Sequence, residues 1–401
     1  MTPARIVLYT PLPPAPTGIA DYSALLMREL SARAPDLVIE TVSTMEQAER
    51  YEPPPEPPVF VYQVGNSAYH DFLYPSLFRR PGILVLHDLV LHHSRLLSHL
   101  ESAEVRAYRE DLGSSSKRER ARARLEEYRA EVREAYPADG DDLAEIALRI
   151  GGGRLLYDYP LYQHLVRRSR LTLVHTDTAR EEVLSSCAGV RVERVRMGVP
   201  SPTLVPRDEA RRRLGLPTEE LILASFGMVT PEKRISTAIR ALARLEAAGV
   251  RAKYLLVGSG VAHYDPLREA RALGVASSVR LLGRVPEEEF RLYAFAADLC
   301  LNLRYPSGGE TSATLLSLLA CGRPVLVTDQ IHVRDLPDSV VARSALEGDE
   351  DGLYCDLRDL IKDERRRREL GESARRYAES EASPEAMAKD YLEAIEIAAD
   401  L

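Results

Sequence analysis

The stretch LILASFGMVTPEKRISTAIRALARL, from Leu221 to Leu245, contains a strand, a loop and a helix in succession. Its first residues are almost continuously apolar, as in a parallel strand that is buried on both faces. Beyond the loop, Ile235, Ile239 and Leu242 recur at the helical period of about 3.6 residues and therefore share one face. A buried strand followed by an amphipathic helix predicts an α/β, doubly wound architecture.

The same pattern recurs along the chain. Short apolar runs predict strands at residues 4–10, 58–64, 82–87, 171–176, 221–227, 252–258, 279–283, 298–303 and 324–329. The series restarts after the proline-containing, basic segment 196–217, which is typical of an interdomain linker. We therefore predict two Rossmann-like domains, residues 1–200 and 201–380, that face each other across a cleft. Ligands of such sheets bind beyond the carboxyl ends of the strands, so the loops that follow the strands are the candidate site.

Composition narrows the function classes. The chain has 401 residues, 45% of them hydrophobic, and a formal net charge of -8. The negative charge argues against nucleic acid as the main partner, because phosphate binding needs a basic field. The four cysteines form no CxxC pair and no zinc spacing, which is typical of reduced thiols. The N-terminal residues lack the order of a signal peptide, and no apolar run approaches the length of a membrane span. We therefore expect a cytoplasmic protein.

Residues 100–165 differ in character and are predicted to form a helical insertion in the first domain. The segment is highly charged and has five basic residues within 117–124. This pattern is typical of a solvated helix. The alternative is a basic face that contacts anionic lipid at the inner face of a membrane, although the apolar side of the helix is thin.

Two of the predicted strand-to-helix loops have residues that suit a bound phosphate. Gly18 opens the first helix, where free N–H groups and the helix dipole favour an anion; alternatively, Thr17 and Gly18 are only an N-cap and a turn. In the loop that follows Gly227, Lys233 and Arg234 lie in the first turn of the next helix. Cations at that position oppose the dipole, which favours a bound anion over a purely structural role. Exposed basic residues are nevertheless common there.

A third loop, YPSGGETS, ends a strand and precedes the apolar helix that contains Leu315 and Leu318. Gly308 and Gly309 leave backbone amides accessible, and Glu310 can accept hydrogen bonds from hydroxyl groups. The alternative is that Glu310 is an acid that compensates the dipole at the start of the helix.

The sequence VLHDLVLHH contains several histidines without a convincing zinc spacing. His87 falls at the carboxyl end of a predicted strand, beside Asp88. This position suits a cleft residue that forms hydrogen bonds or transfers a proton. A buried structural histidine is the alternative.

The order of the motifs TGIADYSALL, VLHD, LVHTDTAREEV, FGMVTPEKR, YLLVGSG, VRLLGRVPEEEF and YPSGGETS resembles the retaining family 4 glycosyltransferases of the GT-B fold, in the branch with a GETS form of the donor-binding motif. The resemblance implies transfer of a sugar from a nucleoside-diphosphate sugar to the hydroxyl of a glycan, lipid-linked or small-molecule acceptor. It implies retention at the anomeric carbon, no metal ion and no cofactor beyond the donor substrate. It also implies that residues 381–401 form a helix that crosses back onto the first domain.

Site residues follow from the resemblance position by position. His87 would lie near the transferred sugar, Lys233 would neutralise the diphosphate, and Glu310 would bind the hydroxyls of the sugar. The other donor-binding positions would be Gly18, Gly227, Arg234, Arg284, Val285, Gly308, Gly309, Thr311 and Ser312, with Arg284 and Val285 at the nucleobase. Acceptor selection is expected in the loops of the first domain, at Tyr22, Gly65, Asn66, His70 and Asp88, and in the insertion 100–165.

The chain departs from the family pattern at two positions. Met228 occupies the place of an arginine that usually accompanies the lysine, so Arg234 or a residue of the first domain would have to supply the charge. The second glutamate of the motif, which holds the ribose, is absent near Ser317. Two other hypotheses stay open. These departures make a non-catalytic nucleotide-sugar binding protein conceivable, whereas a nucleotide-sugar epimerase would need a pair of carboxylates and a histidine, a set that we cannot assemble from the sequence.

Overall fold

The computed structural model describes residues 5–102, 105, 115–346 and 349–401. The chain forms two compact units. The first unit contains Met1–Arg196, Gly308–Thr311 and Met387–Leu401, and the second contains Met197–Ser307 and Ser312–Ala386. The short segment Gly308–Thr311, which the sequence suggests is part of the second domain, clusters with the first unit instead. The reason is local, since the carbonyl oxygen of Gly308 accepts hydrogen bonds from the N–H groups of Leu89 and Val90 at 2.9 and 3.0 Å.

The first unit is built on a parallel sheet in the order β2-β1-β3-β4-β5-β6. Its strands are β1 Arg5–Tyr9, β2 Val38–Val42, β3 Val59–Val64, β4 Ile83–Leu86, β5 Leu171–Val174 and β6 Val192–Arg194. Its helices are α1 Gly18–Arg33, α2 Met45–Arg50, α3 Leu73–Arg79, α4 His92–Leu100, α5 Ser115–Ala135, α6 Gly140–Ile150, α7 Leu155–Asp158, α8 Gln163–Arg168 and α9 Asp177–Ser186.

The second unit repeats the arrangement with the strand order β12-β11-β10-β7-β8-β9, again parallel. Its strands are β7 Leu221–Phe226, β8 Ala252–Val257, β9 Val279–Gly283, β10 Leu299–Asn302, β11 Val325–Thr328 and β12 Ala342–Ser344. Its helices are α10 Arg207–Leu214, α11 Ile235–Ala247, α12 Pro266–Ala272, α13 Glu287–Ala296, α14 Ala313–Ala320, α15 Asp349–Lys362 and α16 Glu364–Glu381. A last helix, α17 Pro384–Ala399, clusters with the first unit from Met387 onward.

All the predicted strands form, and the α/β prediction is confirmed. Continuous apolar runs made these strands recognisable because they are buried on both faces; all four residues of β4, for example, are buried. Three further strands were missed, namely β2, β6 and β12. Each lies at an edge of its sheet and is short or partly exposed, so it lacks the continuous apolar run of a central strand.

The insertion is helical and has an apolar core of its own, in which Tyr128, Val132 and Leu143 are buried. Residues 103–104 and 106–114, which belong to the predicted insertion, lie outside the described residues. On the outer side of α5, Arg124 is exposed and pairs with Glu127 at 2.8 Å. Over the described ranges, no helix combines the length and the apolar character that a bilayer span requires.

Candidate functional site

In the second unit, the neighbouring strands β7, β10 and β11 bring three loops together at their carboxyl ends. Thr328, the last residue of β11, connects them. Its hydroxyl oxygen accepts a hydrogen bond from the Arg304 N–H at 3.2 Å and another from Arg234 Nη1 at 2.9 Å. Two arginines from separate loops are thereby fixed at one edge of the sheet.

Lys233 is the last residue of a short 3-10 helix, Pro231–Lys233, that follows β7. Its ammonium group folds back and donates to the carbonyl oxygen of Phe226. Burial, together with the positive charge of Arg304, lowers the pKa of Lys233 to about 7. Among the described residues, no carboxylate forms an ion pair with Lys233. Lys233 is half-buried. A cation withdrawn from solvent without a counter-ion is unfavourable by itself and favours a bound anion at this position.

Gly227 makes the fold-back possible. Its φ of 82° lies in the left-handed region, and a Cβ atom there would lie only 2.6 Å from Lys233 Nζ. Gly227 therefore leaves the space that the Lys233 ammonium group occupies, which a side chain at residue 227 would fill.

Arg234 separates the 3-10 helix from α11. It is one of two non-glycine residues with positive φ in the described structure, at 52°, a conformation that costs about 1 kcal/mol. Its side chain is only 6% exposed and reaches Thr328. The structure thus places Arg234 as a buried anchor beside Lys233, and its predicted contact with the donor stays a prediction.

Arg304 is a site residue that the sequence reasoning missed. It lies two residues after the end of β10, its N–H donates to the Thr328 hydroxyl, and its charge acts on Lys233. Met228, at the position of the missing arginine, is 59% exposed. A cation immediately after a continuously buried strand was the available signal, because such positions lie at the carboxyl edge of the sheet.

The glycine-rich loop has a different geometry from the one predicted. Helix α14 begins at Ala313, and the Ser312 hydroxyl caps it by accepting from the Leu315 N–H at 3.2 Å. Glu310 therefore lies two residues before the capping residue and outside the first helical turn. Both interpretations, a sugar-binding carboxylate and an acid that compensates the helix dipole, stay predictions. Its side chain is 9% exposed. The hydroxyl of Ser312 is used in the cap, and the predicted donor contacts of Thr311 and Ser312 stay predictions.

Gly309 and Gly308 lie close to the loop that follows β4. Gly309 has a φ of 69°, and a Cβ atom on it would lie 2.9 Å from the Leu89 side chain. A Cβ atom on Gly308 would lie 3.2 Å from Glu310 Oε2. Both glycines thus allow a close approach of backbone that larger residues would prevent.

Four of the predicted acceptor residues come together in the first unit, in the loops after β3 and β4. The Asn66 N–H donates to Asp88 Oδ2 at 2.7 Å. A Cβ atom on Gly65 would lie 3.1 Å from Asp88 Oδ2, 3.2 Å from His70 Nε2 and 2.2 Å from the Ile19 side chain. A glycine is therefore required at residue 65 for these groups to meet.

The protonation state of His70 follows from its contacts. Its Nδ1 lies 2.9 Å from the carbonyl oxygen of Gln63, which can only accept, so Nδ1 carries the proton. Burial lowers the pKa of His70 to about 4, and the ring is neutral at physiological pH. Its Nε2 atom is buried and has no hydrogen-bond partner in the described structure.

His87 is 5% exposed and belongs to a buried chain of hydrogen bonds. Its Nε2 lies 2.6 Å from the Gln63 side chain and its Nδ1 lies 3.1 Å from His175 Nε2. His175 Nδ1 in turn lies 3.1 Å from the carbonyl oxygen of Val195. Both ring nitrogens of His87 are therefore engaged within the first unit, and burial lowers its pKa well below the usual value. This arrangement is that of a buried structural histidine, the alternative that the sequence left open for His87. A role of His87 at the transferred sugar stays a prediction.

Because His87 and His175 are neutral, the donor and the acceptor in each of these hydrogen bonds can be assigned. Since the carbonyl oxygen of Val195 only accepts, His175 donates from Nδ1 and must accept at Nε2 from His87. The structure places Gln63 Oε1 2.6 Å from His87 Nε2 and Gln63 Nε2 toward the Tyr391 hydroxyl. An accepting His87 Nε2 requires the amide nitrogen instead, so we assign the Gln63 amide with its oxygen and nitrogen exchanged. Tyr391 of α17 lies 3.3 Å from Gln63 and 2.9 Å from the Tyr22 hydroxyl. Tyr22, predicted at the acceptor, is therefore a buried member of this chain.

The remaining predicted positions have fewer distinguishing features. Thr17 caps α1 by accepting from the Ile19 N–H at 3.3 Å, and a Cβ atom on Gly18 would meet no atom within 4 Å. The capping alternative thus describes this turn, while phosphate binding there stays untested. Arg284 and Val285 follow the end of β9 and are exposed and half-buried, respectively. Across the described ranges, no three His, Cys, Asp or Glu side chains gather as a metal site; independence of metal stays a prediction.

Residues 206–377 match the sequence model of the family "Glycosyl transferases group 1". Similar relatives are the D-inositol 3-phosphate glycosyltransferases of Mycobacterium tuberculosis and Mycobacterium bovis, each 30% identical over 241 residues. That alignment covers 58% of this chain and 47% of the relative. The chain thus spans about half the length of the relatives it matches.

Solved structures show similarity over nearly the whole chain. Sucrose-phosphate synthase from Thermosynechococcus elongatus superposes with a TM-score of 0.67, covering 98% of each chain at 14% identity. HepE of Anabaena in complex with UDP and glucose gives a TM-score of 0.62, covering 98% of this chain and 99% of that chain, also at 14% identity. These similarities confirm the predicted GT-B fold.

Proposed function

We propose that the chain is a retaining, metal-independent glycosyltransferase of family 4, which transfers a sugar from a nucleoside-diphosphate sugar to the hydroxyl group of an acceptor. The observation that carries this proposal is Lys233, a half-buried cation without a carboxylate partner among the described residues. It lies within residues 206–377, the segment that matches the glycosyltransferase family. Its position at the carboxyl end of β7 is where ligands of such sheets bind.

The proposed reaction places its developing charge on the diphosphate. The bond between the anomeric carbon and the diphosphate oxygen breaks, and the acceptor oxygen forms a new bond on the same face of the sugar. The proton of the acceptor hydroxyl passes to the departing diphosphate. Lys233 and Arg304 would stabilise the negative charge of the leaving group, which is electrostatic catalysis by preorganised groups.

Glu310 has a binding role in this proposal. A carboxylate only accepts hydrogen bonds when ionised, so it suits the hydroxyl groups of the transferred sugar. Uridine nucleotides are the first donors to test, because HepE, which has a similar fold, binds UDP and glucose. A cytoplasmic location agrees with the sequence and belongs to the proposal.

The proposal is tested by incubating the protein with a panel of nucleoside-diphosphate sugars in the presence of EDTA. Release of the nucleoside diphosphate, with and without added acceptors, is measured by chromatography. NMR of the product gives the anomeric configuration, which we expect to match that of the donor. Lys233→Ala should lower the rate about a hundredfold, as expected for losing one preorganised charge contact.

The other outcomes are distinct. Donor binding without turnover would indicate a non-catalytic binding protein, and a C2 epimer of the donor sugar would indicate an epimerase. An inverted product would contradict retention, and activity restored only by added divalent metal would contradict metal independence.

A further inference from the structure

A cavity of about 370 Å³ opens in the first unit between the loop after β3 and helix α4. This volume lies within the usual range of small-molecule sites, roughly 300–1,000 Å³. Its lining combines apolar surface, to which Leu97 contributes, with polar side chains that can form hydrogen bonds. The polar residues that the argument uses are Asn66, Ser67, Asp71, Ser94, Ser98 and Glu101.

Ser67 has a hydrogen-bonding group that the first unit leaves unused. Its Oγ atom is buried and has no hydrogen-bond partner within the described ranges. Native proteins generally avoid leaving a buried hydroxyl unsatisfied unless a ligand or water supplies the partner.

The charges around the cavity favour an uncharged ligand. Asp71 accepts from Arg95 Nη1 at 2.8 Å and also from the Ser98 hydroxyl. Arg95 is shared with a second carboxylate, Glu131, at 3.0 Å from its Nε. Two carboxylates thus compensate one guanidinium, and the exposed Glu101 adds a further negative charge. A phosphate group entering this cavity would meet like charge.

We infer that this cavity is the acceptor site and that it takes an uncharged, hydroxyl-rich group, a sugar ring or polyol, in preference to a phosphorylated one. The inference rests on the proposed function, because it names the substrate class of that reaction. Sugar hydroxyls both donate and accept, which matches the Ser67 hydroxyl and the remaining lone pairs of Asp71.

Direct binding tests the cavity independently of catalysis. Glucose, myo-inositol and the monophosphate of each serve as probes in saturation-transfer NMR with the whole 401-residue chain. Leu97 lines the cavity and is 46% exposed, so Leu97→Trp fills the space without disturbing the core. We expect the signal of the neutral probes to fall at least fivefold in this variant. Ile150→Trp is the matched control, because Ile150 is 53% exposed and lies outside the cavity lining.

A smaller change tests the unused hydroxyl. Ser67→Ala removes an atom that has no partner in the described structure, so the melting temperature should stay equal or rise. Binding of the neutral probes should nevertheless weaken about fivefold, the effect of one neutral hydrogen bond. A fall in melting temperature with unchanged binding would show that the hydroxyl has a structural role and would count against the inference.

A charge reversal tests the discrimination. Glu101→Lys should narrow the preference for neutral over phosphorylated probes by about tenfold, whereas the exposed-site control Glu181→Lys should leave it unchanged. Equal binding in Leu97→Trp and wild type, or a preference of the wild type for the phosphorylated probes, overturns the inference. Either result leaves the proposed function standing if the donor is still turned over. Binding of the neutral probes without any donor turnover would instead contradict the proposed function and leave the cavity as a polyol site.

Discussion

A Cβ atom at Gly227 would lie 2.6 Å from Nζ of Lys233, so the conformation of the lysine depends on the absence of a side chain six residues earlier in the strand-to-helix loop. Gly227→Ala should displace Lys233 and weaken nucleoside diphosphate binding about as much as Lys233→Ala does. Calorimetric titration with UDP measures the effect.

A control for Gly227→Ala separates backbone strain at a positive φ from the steric clash of the added Cβ atom with Lys233. Gly215 also has a positive φ, 63°, but an added Cβ atom there would meet nothing within 4 Å. Gly215→Ala should therefore cost a similar amount of stability, about 1 kcal/mol, and leave UDP binding intact. Equal losses of UDP affinity in Gly227→Ala and Gly215→Ala would contradict the proposed clash between the Cβ atom of residue 227 and Lys233.

Proton uptake on binding is expected from Lys233. With its pKa at about 7, the lysine is largely neutral at pH 8, whereas a bound diphosphate favours the ammonium form. Binding of UDP at pH 8 should therefore take up a proton, and affinity should fall as the pH rises above 7. Calorimetry in buffers with different ionisation enthalpies counts the protons. Lys233→Met should abolish the uptake, and its persistence in that variant would assign it to another group.

The same shift predicts how stability depends on pH. The unfolded chain keeps the Lys233 proton up to about pH 10.5, while the folded protein loses it at about pH 7. Between these values the unfolded state binds more protons, so stability increases with pH in that window. The loss of folding stability that comes from keeping Lys233 protonated in the folded protein is fully present below pH 7. Relative to wild type, Lys233→Met should be more stable at pH 6, with the difference shrinking as the pH approaches 10.

Removing Arg304 should have two effects on UDP binding: affinity should be lost at a higher pH, and it should be weaker at pH 6. Because Arg304 lowers the pKa of Lys233, Arg304→Gln should raise that pKa and shift the pH at which UDP affinity falls to a higher value. At pH 6, however, the variant should bind UDP about tenfold more weakly, since one charged contact is gone. Arg304→Lys retains the charge and should lie close to wild type in both measurements. If UDP affinity depends on pH in Arg304→Gln as it does in the wild type, Arg304 does not lower the pKa of Lys233.

The hydrogen-bonded tyrosines offer a graded stability test. Tyr391→Phe removes the hydroxyl that meets both Gln63 and Tyr22, whereas Tyr22→Phe removes only the contact between the two tyrosines. We expect a loss of about 1–3 kcal/mol for Tyr391→Phe and roughly half of that for Tyr22→Phe. Urea unfolding monitored by circular dichroism measures both. Equal losses would contradict the shared role of Tyr391.

The sequence predicted the central strands because burial on both faces leaves a continuous apolar run, and it failed at edge strands such as β2, which carries Glu40 and Thr41. It identified Lys233 from local spacing. Arg304 escaped because its relation to Lys233 depends on β7 and β10 being neighbours in the sheet, although they are far apart in sequence. His87 was recognisable as the end of a strand, but its burial depends on Gln63 and on Tyr391 near the other end of the chain.

The position of α17 has a consequence for synthesis. The hydroxyl of Tyr391 closes the chain of hydrogen bonds around Gln63, and Asp390 binds Arg196 at 2.6 Å. Tyr22, Gln63 and Arg196, in the unit that leaves the ribosome first, therefore lack these partners until the last helix has been translated. A nascent chain must hold an incomplete first unit while the whole second unit is made, so holdase chaperones would have their longest opportunity to bind there.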